Sequence, residues 1–231
     1  MNLHGSNNHY QGLEMSNKRI QLRGKGKLHD LPSHICFMLS SEDFNSSPKK
    51  ICDIVQWATS FSTELAINDS SSIQGIIFHL HNVTDVNEAM TVLSCVTELA
   101  PCTWYTAEEQ ILSNQGEMKV DSRSYSPYTP RITIVAGMSG RQEIADTLVL
   151  LARKGIQPEK LTEEILTENL HISDCPDFVI KTRERHLVDF MIWQTAYSEF
   201  YFTQAPLNAF TRHEFKKALL DYQSRTRKFG R

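Results

Sequence analysis

The sequence lacks long hydrophobic runs and a strong charge of either sign, and each absence removes a class of function. The predominantly apolar stretches, such as 76–80 and 132–136, are far shorter than the roughly 20 residues that cross a bilayer. The polar start, MNLHGSNNHYQG, does not have the pattern of a signal peptide. Because the formal net charge is only −3, no bulk attraction to nucleic acid is expected. These features predict a cytoplasmic protein with no nucleic-acid partner, and they leave peripheral membrane contact open.

The cysteines also lack any recognisable pairing pattern. They are odd in number, scattered along the chain and without a C-x-x-C motif. This distribution predicts a reducing compartment and argues against a disulfide framework or a thiolate zinc site. The cysteines are Cys36, Cys52, Cys95, Cys102 and Cys175.

What is present is a pattern of alternating strands and helices. The 231 residues, 40% hydrophobic and 22% charged, are enough to bury the core of one domain. Residues 1–30 are polar and predict a flexible arm, so the domain spans 31–231. Predicted strands lie at 33–39, 73–79, 103–107, 131–136 and 178–180, and predicted helices at 49–68, 86–99, 140–155, 158–169 and 212–228, with 190–196 and 199–203 completing the pattern. This alternation predicts an α/β fold with a central, mainly parallel sheet flanked by helices.

Three segments resemble one enzyme family. Residues 175–210 read CPDFVIKTRERHLVDFMIWQTAYSEFYFTQAPLNAF, which resembles the C-terminal signature of cis-prenyltransferases. Residues 31–39, LPSHICFML, and 131–144, RITIVAGMSGRQEI, are similar to two other segments of that family. The resemblance covers about 31–231 and implies a cis-prenyltransferase-like fold.

The first departure from the family concerns its metal site. In the family an aspartate after the first strand helps to hold Mg²⁺ against an allylic diphosphate, and together they neutralise the departing group. Ser40 stands at that position here. Glu42 and Asp43 lie nearby and would replace the aspartate only if the loop were reshaped. The resemblance therefore implies no catalytic residue and no metal in this chain alone, with Mg²⁺ in the active site of a partner.

The second departure concerns the diphosphate of isopentenyl diphosphate. The family grips it with two arginines and a serine, because guanidinium groups match phosphate oxygens bidentately. Lys181, His186 and Val188 stand at these positions here. Arg183 and Arg185 supply charge out of register, which favours a solvated basic loop over a working phosphate clamp.

The family's aromatic segment is retained. In the family it lies at the dimer interface, and dense aromatics fit such a contact. For each residue of this segment, the alternative to an interface role is packing in the core of the chain itself. The family's functional glutamate is matched by Glu199, which without an aspartate partner is expected at a polar rim. The predicted interface residues are Trp193, Gln194, Tyr197, Glu199, Phe200, Tyr201 and Phe202.

The C-terminus is similar to the family's terminal Arg-x-Gly. In the family this tail crosses the dimer and completes the other subunit's active site. The resemblance implies diphosphate contacts in trans by Lys228, Phe229, Gly230 and Arg231, with glycine allowing a close backbone approach. The alternative is a basic helix end that complements its own dipole.

The sequence keeps the structural residues of the family but not its catalytic ones. In this it resembles the non-catalytic subunit of two-component cis-prenyltransferases, such as the Nogo-B-receptor-like subunit of dehydrodolichyl diphosphate synthase. The resemblance implies a heterodimer or heterotetramer with a catalytic homologue. That complex would use isopentenyl and allylic diphosphates to make a long cis-polyprenyl diphosphate. Two alternatives remain open. One is a divergent stand-alone prenyltransferase or terpene-forming enzyme using Glu42, Asp43 or Glu199, and the other is a module that binds a prenyl chain or a protein.

Overall fold

The computed structural model describes residues 28–66, 71–81, 95–106, 125–183, 186–187 and 190–225. Leu28, the first described residue, has its side chain buried in the core. The backbone N–H of His29 donates to Oε1 of Gln223 at 3.2 Å. Most of the predicted arm, 1–27, lies outside the described residues. Within the described part of the chain, no helix is long and apolar enough to cross a membrane.

A parallel sheet forms the centre of the domain. Its strands are β1 (His34–Ser40), β2 (Gly75–His81), β3 (Cys102–Thr106), β4 (Arg131–Ala136), β5 (Phe178–Lys181) and β6 (Glu199–Phe202). They form one sheet in the order β3-β4-β2-β1-β5-β6, and every pair is parallel. The predicted α/β class is confirmed, and the strand bounds differ from the predicted ones by at most two residues.

The helices follow the predicted order with shorter bounds. They are α1 (Ser41–Ser46), α2 (Lys50–Ala66), α3 (Gly140–Arg153), α4 (Glu163–Asn169) and α5 (Arg212–Gln223), with 3₁₀ turns at Pro158–Lys160 and Leu207–Ala209. The predicted helix 86–99 lies mostly outside the described residues, of which 95–99 are helical. Segment 190–196 forms turns rather than a strand or helix.

Side-chain caps explain two of the revised boundaries. The predicted helix 158–169 is interrupted because Thr162 is extended and its Oγ1 accepts from the backbone N–H of Ile165 at 3.3 Å. Thr211 caps α5 in the same way, accepting from the N–H of Glu214 at 3.2 Å. A hydroxyl that satisfies a free N–H fixes the first turn of a helix at that residue. At its other end α5 stops at Gln223, five residues before its predicted end.

The two faces of the sheet carry separate apolar clusters. Along β1, Ile35, Phe37 and Leu39 point into the larger cluster, which α2 and α5 also build, while Cys36 and Met38 point into the smaller one. This alternation follows from the two-residue period of a strand. In the larger cluster, the Phe37 ring lies 5.5 Å from Phe78, 5.6 Å from Phe215 and 5.9 Å from Phe210.

The cysteines require a correction. Cys52 on α2 and Cys95 form a disulfide, with Cα atoms 6.6 Å apart and a sequence separation of 43. The spacing of the cysteines gave no indication of this pair, because it depends on the packing of two segments that are distant in sequence. Cys36, Cys102 and Cys175 are free.

Segment 190–192 crosses closely over the start of α3. A Cβ placed on Gly140 would overlap the carbonyl oxygen of Phe190 and lie 2.9 Å from the backbone nitrogen of Ile192. Only glycine permits this approach, since backbone atoms cannot move aside as a flexible side chain can. Gly140 thus fixes the position of the aromatic segment against α3.

Replacing Gly140 tests this contact. We expect Gly140→Ala to lower the free energy of unfolding by about 3 kcal/mol, because it forces the 190–192 backbone away. Gly155→Ala is the matched control. Its added Cβ meets nothing within 4 Å, and only the positive φ of 78° opposes it, at about 1 kcal/mol. Urea unfolding measures both, and equal losses would contradict the role assigned to Gly140.

Candidate functional site

The carboxyl ends of the parallel strands define the candidate site, because open α/β sheets bind ligands at this edge. Strand register brings three polar side chains to it. Ser40 ends β1 opposite His81 of β2, and Lys181 ends β5 opposite Met38 of β1. The loops that follow β1 and β5 therefore meet here.

Ser40, which stands in place of the family's metal-holding aspartate, has a structural task. Its backbone is extended, and its Oγ accepts from the N–H of Asp43 at 3.1 Å. This is the geometry of a helix N-cap. The hydroxyl therefore starts α1 and brings Asp43 into the first turn.

Asp43 is the central residue of the edge. Its side chain is fully buried, and both carboxylate oxygens accept hydrogen bonds. Oδ1 accepts from Arg183 Nε at 2.8 Å and from the backbone N–H of Leu207 at 3.0 Å. Oδ2 accepts from the Thr182 hydroxyl at 2.7 Å. One carboxylate thus joins α1 to the loop after β5 and to the turn at Leu207.

The donors keep this carboxylate ionised. Burial raises the pKa of Asp43, but the Leu207 N–H, the Thr182 hydroxyl and the Arg183 guanidinium together outweigh burial and leave the pKa below its ordinary value. Donors that point at an ionised oxygen favour the charged form. Asp43 is therefore a fixed negative charge at neutral pH.

Arg183 is drawn into this cluster by an unusual backbone conformation. Its φ is +62°, in the left-handed region that residues other than glycine rarely occupy. Its Nη1 also donates to Oε1 of Glu42 at 2.8 Å. The expected solvated basic loop is wrong at this residue, because two carboxylates hold the guanidinium against the sheet edge.

The geometry of Asp43 does not fit a magnesium ion. Mg²⁺ needs several oxygen ligands in an octahedral arrangement. The Asp43 oxygens instead face hydrogen-bond donors, and the Arg183 charge beside them would repel a cation. Among the described residues, no group of three or more His, Cys, Asp or Glu side chains is arranged to hold a metal.

Two of the three positions that the resemblance matches to the diphosphate clamp are described, and they differ in exposure. Lys181 is buried at the end of β5, His186 is exposed, and Val188 lies outside the described residues, as does Arg185.

Glu199 lies at the opposite end of the sheet. Register places it level with Phe178, which is level with Ile35. Ser40 follows Ile35 by five residues along β1, or about 16 Å at the rise of a strand. Glu199 accepts from Arg225 Nη1 at 2.8 Å, and Arg225 also donates to Asp221 Oδ2 through Nε at 2.7 Å. Glu199 is therefore far from Glu42 and Asp43. All three of these acids already pair with an arginine.

The predicted interface residues divide into buried and exposed ones. Gln194 is a correction, because its side chain is buried in the protomer and donates to Glu143 Oε2 and to the Ile172 carbonyl, each at 3.0 Å. Trp193 is half-buried and its Nε1 donates to Thr167 Oγ1 at 2.9 Å. These two hold the segment to α3 and α4.

The remaining side chains of the segment reach the surface to different extents. Tyr197 is 69% exposed and Phe202 is 39% exposed, while Phe200 and Tyr201 are half-buried. The rings of Phe200 and Phe202 stack with centroids 6.1 Å apart. Lys228, Phe229, Gly230 and Arg231 lie outside the described residues.

Sequence reasoning missed two of the donors to Asp43. Thr182 belongs to the retained signature, directly after Lys181, so its place beside the altered clamp residue was a usable signal. The Leu207 donor is a backbone N–H and leaves no trace in side-chain identity. Glu143, which orients Gln194, was matched to the family pattern without a role.

Comparison with known proteins agrees with this architecture. Among solved structures, a probable undecaprenyl diphosphate synthase from Campylobacter jejuni superposes with a TM-score of 0.61 at 16% identity, covering 89% of this chain and 100% of that one. Lavandulyl diphosphate synthase from Lavandula x intermedia, in complex with dimethylallyl diphosphate, gives a TM-score of 0.62 at 18% identity, covering 87% of this chain and 99% of that one. The fold is therefore that of the cis-prenyltransferases.

Sequence comparison identifies the family. The family model described as putative undecaprenyl diphosphate synthase matches residues 2–230, and the chain belongs to this family. The (2Z,6E)-farnesyl diphosphate synthase of Mycolicibacterium smegmatis is 26% identical over 260 aligned positions, covering 96% of this chain and 95% of that protein. The isoprenyl transferase of Aquifex aeolicus is 38% identical over 118 positions, covering 50% of this chain and 49% of that protein.

The charge of Asp43 makes a prediction about acid stability. We expect Asp43→Asn to lower the free energy of unfolding at pH 7 by about 2 kcal/mol, since a charged acceptor of buried hydrogen bonds is lost. Because the folded pKa is depressed, the wild-type advantage is complete above the unfolded carboxyl pKa of about 3.9 and is lost as pH falls through the folded pKa.

Urea unfolding of both proteins between pH 3 and pH 8 measures this difference. The matched control is Asp53→Asn, which removes an exposed carboxylate paired with Lys50 at 3.0 Å and should cost less than about 0.5 kcal/mol. An Asp43→Asn difference that grows on acidification would contradict the assigned charge.

Proposed function

We propose that this chain is a non-catalytic subunit of a heteromeric cis-prenyltransferase. It pairs with a catalytically complete homologue as a heterodimer or heterotetramer. The complex condenses isopentenyl diphosphate onto an allylic diphosphate and builds a long cis-polyprenyl diphosphate. The observation that carries this proposal is the occupation of both Asp43 oxygens beside Ser40.

The charge balance at the sheet edge supports the absence of catalysis in this chain. Departure of a diphosphate requires cations arranged around the developing negative charge. The charge of Arg183 is offset by Asp43 at 2.8 Å and Glu42 at 2.8 Å. Since Ser40 cannot replace a carboxylate ligand, Mg²⁺ and both substrates are assigned to the partner's active site.

Exposed apolar side chains support a protein partner. Tyr197, Phe202 and Ile192 present aromatic and aliphatic surface on the segment that the family uses between subunits. Leu148 and Val149 on α3 are also exposed. Aromatic residues are enriched at protein interfaces, where they carry much of the binding energy. We assign this surface to the catalytic subunit.

The contacts of Arg225 support a role for the tail. Arg225 donates to Glu199, to Asp221 and, through Nη2 at 2.8 Å, to the Phe200 carbonyl. The last described residue is thereby tied to β6, next to the proposed interface. From this anchor, Lys228, Phe229, Gly230 and Arg231 are assigned to the diphosphate in the partner's pocket. There the Gly230 backbone N–H and the nearby cations favour an anion.

A stand-alone synthase is the second candidate, and the named relatives favour it. The Mycolicibacterium smegmatis protein that matches nearly the full length of this chain is named as a synthase, (2Z,6E)-farnesyl diphosphate synthase. Glu42 or Asp43 would then have to leave Arg183 to act. Turnover of labelled isopentenyl diphosphate by the purified chain alone, lost in Glu42→Ala or Asp43→Ala, would favour this candidate.

The tail assignment predicts a loss of activity in the complex. Co-expressed with a homologue that retains the aspartate and both arginines, the full chain should support incorporation of labelled isopentenyl diphosphate. Deleting residues 228–231 should lower kcat by about 100-fold, because donors to the transition state are lost. Lys160→Ala removes a cation from an exposed turn and serves as the control. Full activity of the truncated complex would refute the tail's role, and a stable complex with unchanged partner kinetics would indicate a binding module.

The interface assignment predicts a loss of affinity. Tyr197→Ala and Phe202→Ala should each weaken binding to the catalytic homologue by about tenfold or more, as expected for aromatic anchors. The isolated chain should keep its urea midpoint. Leu161→Ala is the matched control, because Leu161 is an exposed apolar residue beside a different turn. Titration calorimetry measures the affinities, and wild-type values for both aromatic variants would place the interface elsewhere.

A further inference from the structure

We propose that Thr182, Arg183 and the Leu207 N–H form an anion-binding cradle whose built-in occupant is the Asp43 carboxylate, and that this cradle takes a diphosphate once the carboxylate is removed. The inference rests on contacts within the isolated chain. It is independent of any partner subunit.

The cradle converges on a single point. A hydroxyl, a guanidinium Nε and a backbone N–H approach the two oxygens of Asp43 at 2.7, 2.8 and 3.0 Å. The donors come from two segments, one after β5 and one before α5. Hydroxyl, guanidinium and backbone N–H groups bind phosphate oxygens as well as carboxylate oxygens.

The cradle's backbone is held by bonds that do not involve Asp43. The N–H of Thr203 donates to the Lys181 carbonyl at 3.0 Å, and the N–H of Arg183 approaches the Ala205 carbonyl at 3.4 Å. The N–H of Ala209 donates to the Pro206 carbonyl at 3.0 Å, which fixes the turn that presents Leu207. Because these bonds remain when Asp43 is changed, the donors should keep their positions.

The backbone of Arg183 supports the same inference. A φ of +62° is unfavourable for arginine and would suit glycine better. The structure keeps arginine at this position and directs its guanidinium to the buried carboxylate. A side chain held at the expense of backbone strain indicates that its hydrogen bonds matter.

Removing the carboxylate leaves the Thr182 hydroxyl, the Arg183 Nε and the Leu207 N–H without their Asp43 acceptor. The terminal phosphate of a diphosphate would replace the Asp43 oxygens, and the second phosphate would extend along Arg183 toward the surface. Glu42 stands on that side, and its side chain is 74% exposed, so it can turn into solvent. In the wild-type chain, by contrast, a tethered carboxylate competes at a high effective concentration. The chain should therefore not sequester the diphosphates on which its family acts.

Calorimetric titration with inorganic pyrophosphate tests the cradle in the full chain. The wild type should show no saturable binding at millimolar concentration. Asp43→Ala and Asp43→Gly, which both vacate the cradle, should bind at least about tenfold more tightly than the wild type. Asp43→Ala/Arg183→Ala should lose that gain. Asp53→Ala, which removes another acid from the same half of the chain, should behave as the wild type.

Three results would overturn the inference. One is saturable binding by the wild type that Arg183→Ala abolishes, since the cradle would then be open. The second is a folded Asp43→Ala or Asp43→Gly, checked by circular dichroism, with no gain in binding. Failure of both variants to fold at any temperature would also overturn it, because the cradle would then have no stable form without its carboxylate. None of these outcomes depends on the co-expression assay. The anion-binding cradle and the proposed subunit role are therefore tested independently.

Discussion

The buried carboxylate of Asp43 constrains the arrangement of the whole carboxyl edge. A charge removed from water is tolerated only when its hydrogen-bonding capacity is met by nearby donors. Asp43 meets this requirement with Thr182 and Arg183 after β5 and with the N–H of Leu207 before α5. Each of these segments must therefore close on α1 for the domain to be stable. At the edge where α/β proteins usually bind ligands, the chain's own acid thus joins α1 to the loop after β5 and to the turn before α5.

Local sequence patterns predict some features of the fold and the candidate site, but not others. Strand β4 agrees with its predicted bounds to the residue, and Pro130 and Gly137 flank this mostly apolar segment, so its limits are visible in the sequence. The interruption before α4 was missed, since a helical period continues across Thr162 although its hydroxyl starts a new helix. The contact between Asp43 and Arg183 spans 140 residues and requires a left-handed backbone at Arg183. No periodicity encodes either condition, so the central contact of the site could be found only in three dimensions.

Membership of the family and performance of its chemistry rest on different residues here. Several residues in the family-like segments build the scaffold. Gln194 illustrates this, because in the signature it resembles an interface residue, whereas in the structure it is buried against Glu143 and the Ile172 carbonyl. Gly140 likewise admits the 190–192 backbone rather than a ligand. Retention of such residues maintains the fold whether or not the sheet edge binds diphosphate, so activity has to be argued from Ser40 and Asp43.

The separation of the two acidic centres bears on how many subunits an active site needs. Asp43 follows β1 at the carboxyl edge, whereas Glu199 begins β6 at the amino end, about 16 Å away along the strand direction. A rigid parallel sheet lies between them, with β5 hydrogen-bonded on both sides. No local change of a loop or rotamer brings both acids to one diphosphate within a protomer. This separation supports the proposal that Glu199 and the residues beyond Arg225 serve a diphosphate on another subunit, and the ion pair between Glu199 and Arg225 holds the last described residue at β6.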